Sequence, residues 1–152
     1  MKFGRRYFKR ASLVLLMSWS ASALAAERCI GEVAAHYGID RQVLEAILRV
    51  EGGSVGLRRA NANGTYDLGP MQVNTLWLPL LRARGVDAQL LQWDYCANVA
   101  VGAWILATQI KSSGAAVGSP EFWEAVGRYH SVTPIHNAHY AVKVWHQIRL
   151  TK

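Results

Sequence analysis

Apolar residues recur at helical spacing through nearly the whole chain, and that spacing lapses between Gly52 and Gly69. Ile30, Val33, Ala34 and Tyr37 follow i, i+3, i+4, i+7 spacing, and Gly38 is placed to end a short first helix. Asp40 is positioned to cap a second helix, whose Val43, Leu44, Ile47, Leu48 and Val50 form a broad apolar face that stops at Gly52-Gly53. The run Asn61-Ala62-Asn63-Gly64-Thr65-Tyr66-Asp67 carries an Asn-Gly pair, which predicts a small hairpin or an extended loop. A third helix is expected over part of Leu76 to Arg84, with Pro79 in its first turn or marking its start. Asp94 caps a long, central helix in which Cys96, Val99, Ala100, Ala103, Leu106, Ala107 and Ile110 share one face, ended by Ser112-Ser113-Gly114. Ser119-Pro120-Glu121 opens a further helix through Phe122, Trp123, Val126 and Tyr129. Pro134 interrupts it before a terminal helix around Tyr140, Val144 and Ile148. The pattern specifies a mainly α domain with one small insert after its second helix.

The first residues follow a different logic. Lys2, Arg5, Arg6, Lys9 and Arg10 precede an apolar stretch from Ala11 to Trp19 and small residues from Ser20 to Ala26. This is the pattern of a secretory signal peptide over residues 1–26, with cleavage after Ala25 or Ala26. The apolar stretch is shorter than the roughly 20 residues of a membrane span, which disfavours a stable anchor. The formal charge of +7 comprises 17 basic and 10 acidic residues, and five of the basic ones lie in this leader. Residues 27–152 then hold 12 basic against 10 acidic residues, about +2, and a nucleic-acid partner loses its electrostatic support. The full chain is 51% hydrophobic, and the remainder after the leader is long enough to bury a core as one domain, expected to act as a monomer in the periplasm. In that oxidising compartment Cys29 and Cys96 are expected to form a disulfide, the alternative being two buried thiols. Closing a loop of more than sixty residues is worth about 4 kcal/mol by chain entropy.

One acid stands out. Glu51 follows Ile47 by four residues and Leu48 by three, so it extends the apolar stripe of the second helix at its last turn. Apolar neighbours and the negative end of the helix dipole both oppose ionisation and hold a proton on the carboxyl near neutral pH. A protonated carboxyl of this kind donates to the leaving oxygen of a sugar–sugar bond. Periodicity alone also fits a glutamate that caps its helix or pairs with Arg49, Arg58 or Arg59. Downstream, Gly69-Pro70-Met71-Gln72-Val73-Asn74 offers an apolar contact at Met71, and amides at Gln72 and Asn74 suited to sugar hydroxyl or N-acetyl groups. Of the tryptophans, Trp77, Trp93, Trp104, Trp123 and Trp145 offer flat faces on which sugars stack, although most are expected in the core. His136 and His139 share a helical face but lack a third ligand at suitable spacing, so no metal site is expected.

Glu51, Gly69-Pro70-Met71-Gln72, Asn98 with Gly102, and Gly127-Arg128-Tyr129-His130-Ser131 resemble, in order and spacing, the motifs of the SLT-type lytic transglycosylases. The two cysteines and the run Asn63 to Gly69 are most similar to the small specialised members that accompany secretion, conjugation or pilus machines. The resemblance covers nearly all of the chain after the leader. It implies a lysozyme-like α+β fold, with the acid at a helix end facing a cleft beside a small β region. It also implies that Glu51 is the catalytic acid/base, that Met71 and Gln72 contact substrate, and that Tyr129 lies near the acid. Gly52, Pro70 and His130 depart from the serine, leucine and asparagine usual there.

The implied substrate is the glycan strand of peptidoglycan. The implied reaction protonates the bond after N-acetylmuramic acid and lets the C6 hydroxyl attack, leaving a 1,6-anhydro end with no metal or organic cofactor. The implied partners are components of a secretion, conjugation or pilus apparatus. Two other readings stay open: a lysozyme-type hydrolase in which Asp67 is the second carboxylate, and a non-catalytic peptidoglycan-binding assembly protein.

Overall fold

The computed structural model describes residues 8–151, with side chains from Ala23 onward. The leader expected over residues 1–26 therefore lies partly outside the described residues. Its remainder is helical and continuous with the first element, α1 (Phe8–Tyr37). This helix is longer than the short one expected. No glycine or proline interrupts the alanine- and leucine-rich stretch from Ala11 to Cys29, so helical propensity carries through it. No helix among the described residues is long and apolar enough to cross a membrane.

The order continues with α2 (Arg41–Glu51), β1 (Arg58–Ala60), β2 (Tyr66–Leu68), β3 (Val73–Asn74), a 3-10 turn (Thr75–Trp77), α3 (Leu78–Arg82), α4 (Ala88–Trp93), α5 (Tyr95–Ser113), α6 (Pro120–Gly127) and α7 (Pro134–Arg149). The caps follow the sequence signals. The side chains of Asp40, Asp94 and Ser119 accept backbone N–H bonds at the starts of α2, α5 and α6. Pro79 falls in the first turn of α3. Gly52, at φ +59°, ends α2 in the left-handed conformation that glycine adopts without a Cβ clash.

The insert is a three-stranded antiparallel sheet in the order β1-β2-β3, with Arg59 opposite Asp67 and Asp67 opposite Asn74. The Asn-Gly turn closes the β1-β2 hairpin, with the Asn61 N–H donating to Thr65 O at 2.9 Å. Two elements were not legible in the sequence pattern. Strand β3 is two residues long and α4 six, too short for either period to register.

Helix α5 is central. Val99, Val101, Ala103, Ile105 and Leu106 are all buried, because α1, α4, α6 and β3 pack around them. Cys29 and Cys96 are joined, with Cα atoms 5.8 Å apart, and tie α1 to the first turn of α5 across 67 residues. Helices α2 and α7 pack side by side, which brings the end of α2 against the middle of α7.

Candidate active site

Glu51 is the last residue of α2 and lies half-buried on the wall of a cleft of about 530 Å³. Asp67, Gln72, Asn74, Trp77 and Tyr129 share that cleft with it. Burial is the main influence on the Glu51 carboxyl, and it raises the pKa from 4.5 to about 7. A hydrogen bond from Tyr140 opposes the rise, the charge of Asp67 adds to it, and Arg59 and Lys143 oppose it. The acid is thus poised to hold or release a proton near neutrality.

None of the arginines considered for Glu51 pairs with it. Arg49 bonds Glu45 at 3.4 Å, the Arg58 guanidinium lies 3.6 Å over the Tyr66 ring, and Arg59 lines the cleft without an ion pair among the described residues. The direct partner is Tyr140 on α7, whose hydroxyl donates to Glu51 Oε1 at 2.5 Å. Burial and the adjacent Glu51 charge push the Tyr140 phenol far up, so it stays a donor at every working pH. Sequence reasoning placed Tyr140 in the terminal helix and missed this role. The available signal was a tyrosine inside an apolar stripe, whose hydroxyl must find a buried partner.

Tyr129 lies beside the acid, but its hydroxyl donates to Met71 O at 2.9 Å instead of to Glu51. Burial, then the charges of Glu51 and Asp67, raise its pKa well above that of a free phenol. Its ring stacks on that of Tyr140, with centroids 6.3 Å apart and planes 23° apart. On Tyr140 lies the imidazole of His130 as well, 5.0 Å away and within 4° of parallel. His130 lines the cleft, and burial, followed by the charges of Lys143 and His136, lowers its pKa.

The Met71 assignment needs correction. Its side chain is 0% exposed and does not line the cleft. It lies over Gly102 of α5, where a Cβ would sit 2.4 Å from the Met71 sulfur, so Gly102 exists to admit it. Asn98 fixes the same segment. It is fully buried, accepts from Met71 N at 2.8 Å, and donates to Leu68 O at 2.8 Å and Leu91 O at 2.9 Å. The motif of Asn98 with Gly102 is therefore carpentry that seats the loop under the cleft.

Gln72 turns the opposite way. It is the one non-glycine residue with positive φ, +50°, among the described residues, a conformation that costs about 1 kcal/mol or more. Its amide nitrogen bonds Gly69 O at 2.8 Å, while its Oε1 is buried without a partner at the cleft. Asn74 also lines the cleft, donating to Asp67 Oδ1 at 2.7 Å and capping the 3-10 turn through Leu76 N. Trp77 lies at the cleft, braced edge-on by Trp104 at 5.6 Å. Trp93 and Trp145, by contrast with the expected core tryptophans, are 61% and 43% exposed. His136 and His139 are both exposed on α7.

Helices around a buried α5, a small antiparallel sheet, and a half-buried acid over the cleft between them define a lysozyme-like α+β protein. No protein-family model matches the chain. It is 32% identical over 143 residues to the Invasion protein IagB of Salmonella typhimurium, across 89% of this chain and 79% of that protein, and it belongs to the IagB family. A Peptidoglycan-binding-like protein of Escherichia coli O157:H7 is 28% identical, over 82% of this chain and 72% of its own. The X polypeptide of Escherichia coli is 30% identical, over 81% and 70%.

Proposed function

We propose that the protein is an exported lytic transglycosylase of the SLT type, which cuts the β-1,4 bond between N-acetylmuramic acid and N-acetylglucosamine in peptidoglycan. The observation that carries this reading is Glu51 itself. A carboxyl with a pKa of about 7, unpaired by any cation among the described residues and open to a cleft, protonates a leaving glycosidic oxygen and then accepts a proton. In this mechanism Glu51 gives its proton to the oxygen of the departing N-acetylglucosamine. The acetamide of the muramyl residue stabilises the positive C1, and Glu51 takes a proton from the C6 hydroxyl as that oxygen closes the 1,6-anhydro ring. Water is not consumed, and the chemistry calls on no metal or cofactor.

Gln72 supports the reading with a buried acceptor, Oε1, that a sugar N–H or O–H can satisfy. Asn74, Trp77 and Tyr129 shape the same cleft for the neighbouring rings. The name of the Escherichia coli relative, a peptidoglycan-binding-like protein, supports the substrate. Residues 1–26 serve in this account as the leader removed on export to the periplasm, and 27–152 as the enzyme. The invasion-protein name of the Salmonella relative supports a role in opening the wall locally for an envelope-spanning secretion, conjugation or pilus machine.

Asp67 supports a second reading. It lines the same cleft, and its charge reaches Glu51, as the second carboxylate of a lysozyme-type hydrolase would. Mass analysis of digested sacculi separates the two. The transglycosylase leaves anhydro ends one water lighter than the reducing ends of a hydrolase. A purified protein that binds sacculi and releases neither product is a binding module instead.

A further inference from the structure

Strand alternation gives the small sheet two faces, and each face borders a groove. Arg59, Asn61 and Asp67 line the cleft of Glu51. Their sequence neighbours Arg58, Tyr66 and Leu68 line a second groove of about 630 Å³ behind the sheet, whose far wall is α4 with Gln89, Gln92 and Trp93.

Trp93 is the notable member of that wall. It is 61% exposed, although burying an indole is strongly favourable. Its inner side rests on Gly56, where a Cβ would lie 2.9 Å from the ring. Reciprocal hydrogen bonds, Gly56 N to Gln92 O at 2.7 Å and Gln92 Nε2 to Gly56 O at 2.8 Å, lock the two segments together. The indole is thus braced from behind and open in front.

Polar groups flank it on both sides. The Arg58 guanidinium covers Tyr66 in the larger groove. Beyond Trp93, a groove of about 350 Å³ is lined by Asp87 and Asp94. Each aspartate uses Oδ1 as a helix cap, accepting from Leu90 N and Ala97 N, and its second oxygen takes no side-chain bond among the described residues. A rigid flat apolar face among carboxylates, amides and a guanidinium matches a pyranose ring. The C–H face of the sugar packs on the indole, and its hydroxyls reach the surrounding acceptors and donors. The hydrophilic rim is poorly suited to an apolar protein segment.

We propose that the Trp93 groove is a second saccharide-binding site, which takes a β-1,4-linked N-acetylated glycan segment outside the cleavage cleft. The identity of the sugar rests on the transglycosylase reading above. The groove itself rests on α4, Gly56 and the rear face of the sheet. Holding polymer at a second point raises the effective concentration of strands at the cleft.

Titration of 15N-labelled protein with tetra-N-acetylchitotetraose tests this. The expected result is saturable shifts at the Gly56 amide and the Trp93 indole N–H, separate in midpoint from those at Asn74 and Trp77. Trp93→Ala is expected to lose the first set and to bind insoluble sacculi at least threefold less, while cleaving a short soluble glycan at the same rate. Trp93→Phe, which keeps a ring, is expected to retain most of the sacculus binding. Silence at Gly56 and Trp93 overturns the proposal, as does unchanged sacculus binding by a folded Trp93→Ala variant. Should that variant fail to fold, the wild-type titration decides. Shifts behind the sheet with none in the cleft leave this site standing and reject the cleft reading; the reverse pattern does the opposite.

Discussion

The Tyr140 hydroxyl lies 2.5 Å from Glu51 Oε1, joining the middle of α7 to the last residue of α2 across 89 positions of sequence. The bond does two things at once. It fixes the rotamer of the acid against the cleft wall, and it partly offsets the rise in pKa that burial imposes. Without it the carboxyl would be still harder to ionise and less well aimed.

Removing that hydroxyl separates the two effects. Tyr140→Phe is expected to raise the Glu51 pKa above about 7, because the lost bond favoured the carboxylate. The alkaline limb of the pH–rate profile moves upward accordingly. The rate at the optimum falls about tenfold or more through loss of aim. A pH profile of both proteins on sacculi checks this, and an unmoved limb contradicts it.

Glu51 also makes stability depend on pH. Its folded pKa of about 7 lies above the ordinary 4.5, so the folded state holds a proton that the unfolded chain has released. Stability from this group is full below pH 4.5 and lost as pH rises through about 7. The whole difference is about 3 kcal/mol. Glu51→Gln, which keeps an acceptor for Tyr140, is therefore expected to be more stable than wild type at pH 8 and to converge with it near pH 4. Urea denaturation at the two pH values measures the gap.

Asn98→Ala leaves the Met71 N–H and the carbonyls of Leu68 and Leu91 without their partner in a dry setting. A loss of about 3 kcal/mol or more is expected, with a matching fall in melting temperature. Asn98→Asp should rescue little, since it restores the acceptor for Met71 but not the donors.

Replacing both cysteines with serine removes the link between α1 and α5. The expected loss is about 4 kcal/mol. The same change follows in wild type on addition of a reductant, and thermal melts with and without it give the comparison.

Much of this was legible in the sequence, for local reasons. Asp40, Asp94, Ser119 and Gly52 act within one turn of themselves, so the ends of α2, α5 and α6 follow from the residues there. Glu51 was readable because a carboxylate continued an apolar stripe to a glycine stop. Tyr140 was not readable as its partner, because only the packing of α2 against α7 brings them together. Met71 and Gln72 show a finer limit. The two are adjacent, yet the positive φ at Gln72 sends one side chain into the core over Gly102 and the other to the cleft. Nothing in residue type alone chooses between them.

In the proposed reaction the Glu51 proton drives glycan cleavage. Incubating purified sacculi with wild type and with Glu51→Gln, and quantifying soluble 1,6-anhydromuropeptides by mass spectrometry, tests it directly. Abundant anhydro products are expected from wild type, and a loss of at least a thousandfold, on the order expected for removing an essential acid, in a variant that folds and still binds sacculi. Anhydro products released by the folded variant at a rate near that of wild type would contradict it.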